Sequence, residues 1–396
     1  NDHGCGYPVF GQINHKLEGV NVKINLKQKS TTHHPAMKKV ESKTILQGRL
    51  GHKLRSLALL TRLSAYVTTR RALGKALVTQ WPLSFEIGML FWRTQFNRAL
   101  AMKDFAQARA YFDSLYWLIG SPPKVDIQVT SNDEPRGHWF IPHTRTSEAT
   151  MLYFHGGGYA FYAATTRTFI TMMADILGIS IFAPDYRLTP EHPHPAQIDD
   201  AMAAYRFLLN KGIEPSRLIV GGDSAGGHLM LMTIAKLRDM GLPQPVIGIG
   251  ISPWTDTRSR GASLFGNDRY DLVQGYMTQV FADWLKGETG ATDTELSPID
   301  QDFRGLAPLY LQAGGKEILV DMIRDFAKVA QTQGAIVRLD VWEHMTHEFQ
   351  SLGGTLPESH EALQRIDAAI RWALQPDNHN RQGEFPPCAN TEVNAW

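Results

Sequence analysis

Apolar positions in this chain recur at helical spacing before residue 120 and in short, separated runs after it. Between residues 50 and 79, Leu54, Leu57, Leu60, Ala65 and Val67 stand at mostly helical intervals with Arg and Lys between them, which predicts one or two amphipathic helices. After a break at Trp81-Pro82, residues 105–119 repeat that character through Ala106, Tyr111, Phe112, Leu115 and Leu118. From Lys124 onward the pattern alternates. Apolar runs at 125–129, 138–141, 150–154, 179–183, 217–221, 246–251, 308–313 and 336–342 predict eight strands, and stretches at 167–177, 198–209, 225–238 and 318–333 predict helices between the later ones. Two early hairpin-connected strands followed by strand–helix repeats predict an α/β fold: an eight-stranded, mostly parallel sheet with helices on both faces. No internal repeat or low-complexity tract interrupts it.

Composition narrows the picture. The 396 residues are 43% hydrophobic and 10% aromatic, sufficient to bury a large core without disulfides. With 40 basic and 39 acidic residues the chain offers no electrostatic case for nucleic acid or an anionic membrane, so small molecules are the expected partners. The two cysteines, Cys5 and Cys388, lie near opposite ends and leave their pairing open. No apolar run is long enough to span a membrane, and the first thirty-odd residues lack the apolar core of a signal peptide. The expectation is a cytoplasmic protein. The chain begins at Asn1, and Met37 is a candidate start that would make the polar stretch before it an appendage.

Two glycine motifs carry the chemistry. Gly222-Asp223-Ser224-Ala225-Gly226-Gly227 follows the apolar run ending at Gly221, so a strand must turn sharply into a helix with Ser224 at the apex. His155-Gly156-Gly157-Gly158 follows the run ending at Phe154, and its backbone N–H groups are free of side-chain crowding and able to face a developing oxyanion. A serine nucleophile needs a base and an acid. The segment from Gly314 to Asp321 offers Glu317 or Asp321 beyond a strand end, and the loop after the last strand holds His344 and His347. Histidine titrates near neutrality, and a carboxylate on its far nitrogen sets tautomer and orientation. No third ligand cluster accompanies the two histidines, and no H-E-x-x-H helix is present, so no metal and no cofactor are expected.

With Asp185-Tyr186-Arg187-Leu188-Thr189-Pro190-Glu191-His192-Pro193 and Pro195-Ala196-Gln197-Ile198-Asp199-Asp200-Ala201, these motifs resemble the hormone-sensitive-lipase-like esterases of the α/β-hydrolase superfamily, over about residues 85–375. The resemblance implies Ser224 as nucleophile, His347 as base, and the N–H groups of Gly157, Gly158 and Ala225 as oxyanion hole, with Gly156 beside it. Much of that family has Asp-Pro-Leu where this chain has Glu317-Ile318-Leu319, which favours Glu317 as the acid and puts Asp321 second. Asp321 also reads as a carboxylate placed at a helix start for the helix dipole. Arg187 and Glu191 read as a structural ion pair or a clamp under the glycine loop.

The expected organisation is a poorly ordered N-terminal extension (1–44), a helical cap (45–120), an α/β-hydrolase catalytic domain (121–375) whose 254–299 stretch adds a second lid segment, and a tail (376–396). The expected activity is hydrolysis of short- to medium-chain acyl esters through an acyl-enzyme. A non-catalytic small-molecule receptor on the same fold, or a deacetylase or amidase, are the alternatives, and the presence of His347 argues against the receptor. The resemblance brings in a homodimer built near the last strand as one assembly, with the oligomeric state left open.

Overall fold

The computed structural model of the protein describes residues 42–46, 50–119 and 124–375. Cys5, Cys388, the tail and nearly all of the expected N-terminal extension lie outside the described residues; its last positions, 42–44, are in a strand. In chain order the elements are β1 (Ser42–Leu46), α1 (Leu50–Ala72), α2 (Leu83–Leu100), α3 (Phe105–Asp113), β2 (Leu115–Ile119), β3 (Val125–Val129), β4 (Gly137–Pro142), β5 (Thr150–Phe154), α4 (Ala164–Leu177), β6 (Ser180–Pro184), α5 (Ala196–Asn210), β7 (Leu218–Asp223), α6 (Ala225–Asp239), β8 (Ile247–Ile251), α7 (Ser263–Gly266), α8 (Gly275–Lys286), α9 (Asp293–Leu296), β9 (Leu309–Gly314), α10 (Val320–Thr332), β10 (Val337–Trp342) and α11 (Pro357–Ala373).

The eight expected strands form one sheet in the order β10-β9-β8-β7-β5-β6-β4-β3. Only β4 runs against its neighbours. Side chains along a strand alternate between faces, and the core divides accordingly. Leu152, Phe154 and Val220 pack with α5, α6 and α10 on one face, while Met151, Tyr153 and Ile219 pack with α4 and α11 on the other. The central strands β5 to β9 are buried on both sides, which is why they read as continuous apolar runs rather than alternating ones, whereas the edge strand β3 is largely exposed.

The N-terminal part departs from expectation in two ways. The helix expected over 105–119 ends at Asp113, and Leu115–Ile119 is instead a strand paired antiparallel with Ser42–Leu46. The aromatic and branched run Leu-Tyr-Trp-Leu-Ile suits a pleated strand, and pairing with a distant segment overrides the helical spacing. The buried stripe of α1 is Leu59, Leu63 and Val67, whereas Leu54 and Leu57 face outward at 58% and 57% exposure. That helix stops before Gly74, whose φ of 69° is left-handed.

The helices α2 and α3 lie near the C-terminal ends of the strands. Trp81, Phe85 and Met89 share a buried cluster with Trp342, Met345 and Phe349, and the Trp81 indole N–H donates to the carbonyl of His344. Arg109 of α3 donates to the carbonyls of Ala160 and Thr189 and pairs with Glu191, all at 2.7 Å. The chain after the glycine loop is therefore clamped by Arg109, with Glu191 as its ion-pair partner; Arg187 pairs with Asp200 instead, at 2.8 Å. Among the described residues no helix is long and apolar enough to cross a membrane.

Candidate active site

Ser224 stands between the end of β7 and the first residue of α6 with φ 51° and ψ −117°, a strained conformation for a residue with a side chain. Neighbouring glycines make this turn sterically feasible. A Cβ on Gly226 would lie 1.9 Å from the Phe154 carbonyl oxygen, and one on Gly222 would lie 2.3 Å from that of Gly226. The Ser224 N–H donates to Ile251 at 2.9 Å, and its carbonyl accepts from His228 and Trp254 at 3.0 Å, so the backbone is held from both sides. Among the described residues its hydroxyl has no hydrogen-bond partner.

The glycine loop leaves β5 directly beside this turn. His155 is clasped between Tyr162 and Tyr186, with ring centroids at 3.9 and 4.2 Å and nearly parallel planes. Burial lowers its pKa to about 4, so it is neutral and structural. The Gly156 N–H donates to Oδ2 of Asp223 at 2.9 Å, which takes it out of any anion-binding role, while Oδ1 of Asp223 accepts from Tyr153 at 2.6 Å. Gly157 and Gly158 adopt φ of 105° and 61°. Among the described residues their N–H groups, and that of Ala225 at the start of α6, have no protein acceptor. They are the donors expected at an oxyanion position.

Glu317 and His347 meet at the ends of β9 and β10. Both are buried, and Oε1 of Glu317 stands 3.9 Å from Nδ1 of His347, beyond hydrogen-bonding length. Neither atom has a hydrogen-bond partner elsewhere among the described residues. The other oxygen of Glu317 accepts from Ser252 Oγ at 2.7 Å and from the Gly314 N–H at 2.8 Å. Burial opposes charge on His347, but Glu317, Glu348 and Asp271 outweigh it and raise its pKa to about 10. Asp271 is itself fully buried, accepts from the Ile318 N–H at 2.7 Å, and is pushed by burial up to about 7.

Asp321 is not in this group. It lies in the first turn of α10, where its carboxylate accepts the Ser263 N–H at 2.8 Å and so docks the 254–299 stretch onto the helix. His344 likewise contributes its carbonyl rather than its ring to the site's surroundings. Sequence reasoning missed Ser252, Asp271 and Glu348. The only signal for Glu348 is its adjacency to His347; nothing local marks the other two.

The chain matches, over residues 151–351, a family described as an alpha/beta hydrolase fold. It is 32% identical over 295 residues to an acetyl-hydrolase of Streptomyces hygroscopicus, an alignment covering 73% of this chain and 95% of that protein. It is 31% identical over 296 residues to a carboxylic ester hydrolase of Mycobacterium tuberculosis, covering 67% and 77% of the two chains. Among solved structures, an esterase from the bacterial hormone-sensitive lipase family superposes with a TM-score of 0.65 at 31% identity, over 72% of this chain and 97% of that one. On this family match and these relatives, the chain belongs to the α/β-hydrolase fold family, among the esterases of its hormone-sensitive-lipase group.

Proposed function

We propose that this protein is a carboxylic-ester hydrolase that works through an acyl-enzyme on Ser224, with His347 as base and Glu317 as the acid that orients it. The observation that carries the assignment is the pair of buried, otherwise unpartnered atoms, Nδ1 of His347 and Oε1 of Glu317, that face each other beside the serine turn. A buried polar atom without a partner is costly, and a triad explains why both are retained.

Ser224 attacks the ester carbonyl as His347 Nε2 takes its proton, and the N–H groups of Gly157, Gly158 and Ala225 hold the oxyanion. The intermediate collapses, His347 returns the proton to the departing alcohol, and the acyl group remains on Ser224. Water, deprotonated by His347, then releases the acid. No step calls for a cofactor.

The acyl side is confined. A Cβ on Gly158 would lie 2.4 Å from the Phe281 ring of α8, so that ring rests on the oxyanion loop. Phe96, Phe112 and Phe161 form a contiguous aromatic group nearby, with ring centroids 4.7 to 5.7 Å apart. This supports short- to medium-chain substrates, and helices α1 to α3 with the 254–299 stretch as the cap over the site. The test is turnover of p-nitrophenyl acetate, butyrate, octanoate and palmitate by the wild type and Ser224→Ala, with circular dichroism on both. Serine-dependent turnover falling off toward palmitate is expected. A folded wild type inert toward all four esters would refute the assignment.

A further inference from the structure

One carboxylate at the site has no place in the triad. Glu348 follows His347 with φ 53°, a left-handed conformation uncommon for a residue with a side chain. Its Oε1 lies 3.6 Å from Nε2 of His347, the nitrogen that has to receive the serine proton. That oxygen is also 2.8 Å from the point where a Cβ on Gly156 would stand, and Oδ2 of Asp223 is 2.2 Å from the same point. Glu348 therefore spans from the base to the carboxyl that fixes the glycine loop.

We infer that Glu348 is a positioning residue for the esterase reaction: in the resting enzyme its carboxylate holds a proton on Nε2 of His347, which must be released before that nitrogen can accept the proton of Ser224. This rests on the triad proposed above. Three carboxyl groups face the imidazole: Glu317 after β9, Asp271 before α8, and Glu348 on its own loop. Behind Glu348 stand Asp223 at the end of β7 and Tyr153 of β5. Among the described residues none of these carboxylates pairs with an Arg or Lys, so His347 is the cation they share. Burial and the neighbouring Glu348 carboxylate push Asp223 well above the usual carboxylate range. Glu348 is also the exit: its side chain is 26% exposed against 2% for His347, so the proton passes along this carboxylate to bulk water.

The experiment measures kcat/KM for p-nitrophenyl acetate from pH 5 to 10, read at the isosbestic wavelength of the product, for wild type, Glu348→Gln, Glu348→Asp and Ser224→Ala. In Glu348→Gln the acid limb should move down by about one pH unit or more, making the variant about tenfold faster than wild type at pH 6, while Glu348→Asp keeps part of the alkaline position. A merely structural Glu348 would lower the melting temperature or the plateau without moving the limb, and that result overturns the inference. Superimposable limbs overturn it as well. Should Glu348→Gln fail to fold, nitrogen NMR of the wild-type imidazole decides: a doubly protonated His347 ring at pH 7 supports the inference, and a neutral ring ends it. Failure of the triad would appear separately, as plateau activity that survives Ser224→Ala.

Discussion

The hydroxyl of Ser252 donates to Oε2 of Glu317 at 2.7 Å and accepts the Glu348 N–H at 3.3 Å. A single side chain at the end of β8 thus holds both the proposed acid and the loop that carries the proposed base. Ser252 is itself held in place, with its N–H on the Gln312 carbonyl at 2.7 Å and a φ of 46°.

Ser252→Ala should therefore lower kcat by about 10- to 100-fold, the loss of a hydrogen bond to a charged group, with little change in KM. The check is steady-state kinetics beside a thermal melt. A variant with wild-type kcat would mean that Glu317 is adequately held by the Gly314 N–H alone.

Glu317 and Asp321 should separate cleanly. Glu317→Gln can no longer stabilise the imidazolium and should reduce kcat by about 10²- to 10⁴-fold. Asp321→Asn loses the charge that favours the start of α10 and weakens its bond to Ser263, at a cost of about 1 kcal/mol in stability, with kcat nearly unchanged. Parallel activity and denaturation curves distinguish the two, and an inactive but stable Asp321→Asn would reverse the assignment.

Phe281→Ala removes the ring that rests on Gly158. Its acyl-chain profile should shift toward octanoate, with kcat/KM for acetate reduced or unchanged. An unaltered profile would place the acyl group away from α8.

Stability should fall as pH rises. His347 is raised from an ordinary value of 6.5 to about 10, so its contribution is complete below pH 6.5 and disappears as pH climbs to about 10. Asp271, raised from 3.8 to about 7, binds its proton more tightly when folded, so its contribution is complete below pH 3.8 and is lost by about pH 7. Melting temperatures measured from pH 5 to 10 should decline, and Asp271→Asn should flatten the part below pH 7. A wild-type melting temperature that increases steadily toward pH 10 would contradict both assignments.

What the sequence determined by itself was everything set by local conformation and by burial of contiguous segments. The eight apolar runs from residue 125 to 342 became the sheet, its central strands legible because both of their faces are covered, and the small residues around Ser224 and after His155 prescribed a tight turn and an open loop. The same local reading misjudged 105–119, where Leu115–Ile119 pairs with Ser42–Leu46, and in α1 it named the outward-facing Leu54 and Leu57 beside the buried Val67 while passing over Leu59 and Leu63. In both places a distant partner decided which of two plausible patterns was used. The acid was legible only as a choice between Glu317 and Asp321, because a carboxylate's role depends on what its neighbours leave unpaired. Ser252, Asp271 and Glu317 come from three segments separate from the loop of His347 and Glu348, and the parallel strands β8, β9 and β10 bring Ser252, Glu317 and that loop to one end of the sheet. Charge interactions act through space over a few ångströms, so this cluster and the proton it shares exist only once those strand ends are assembled.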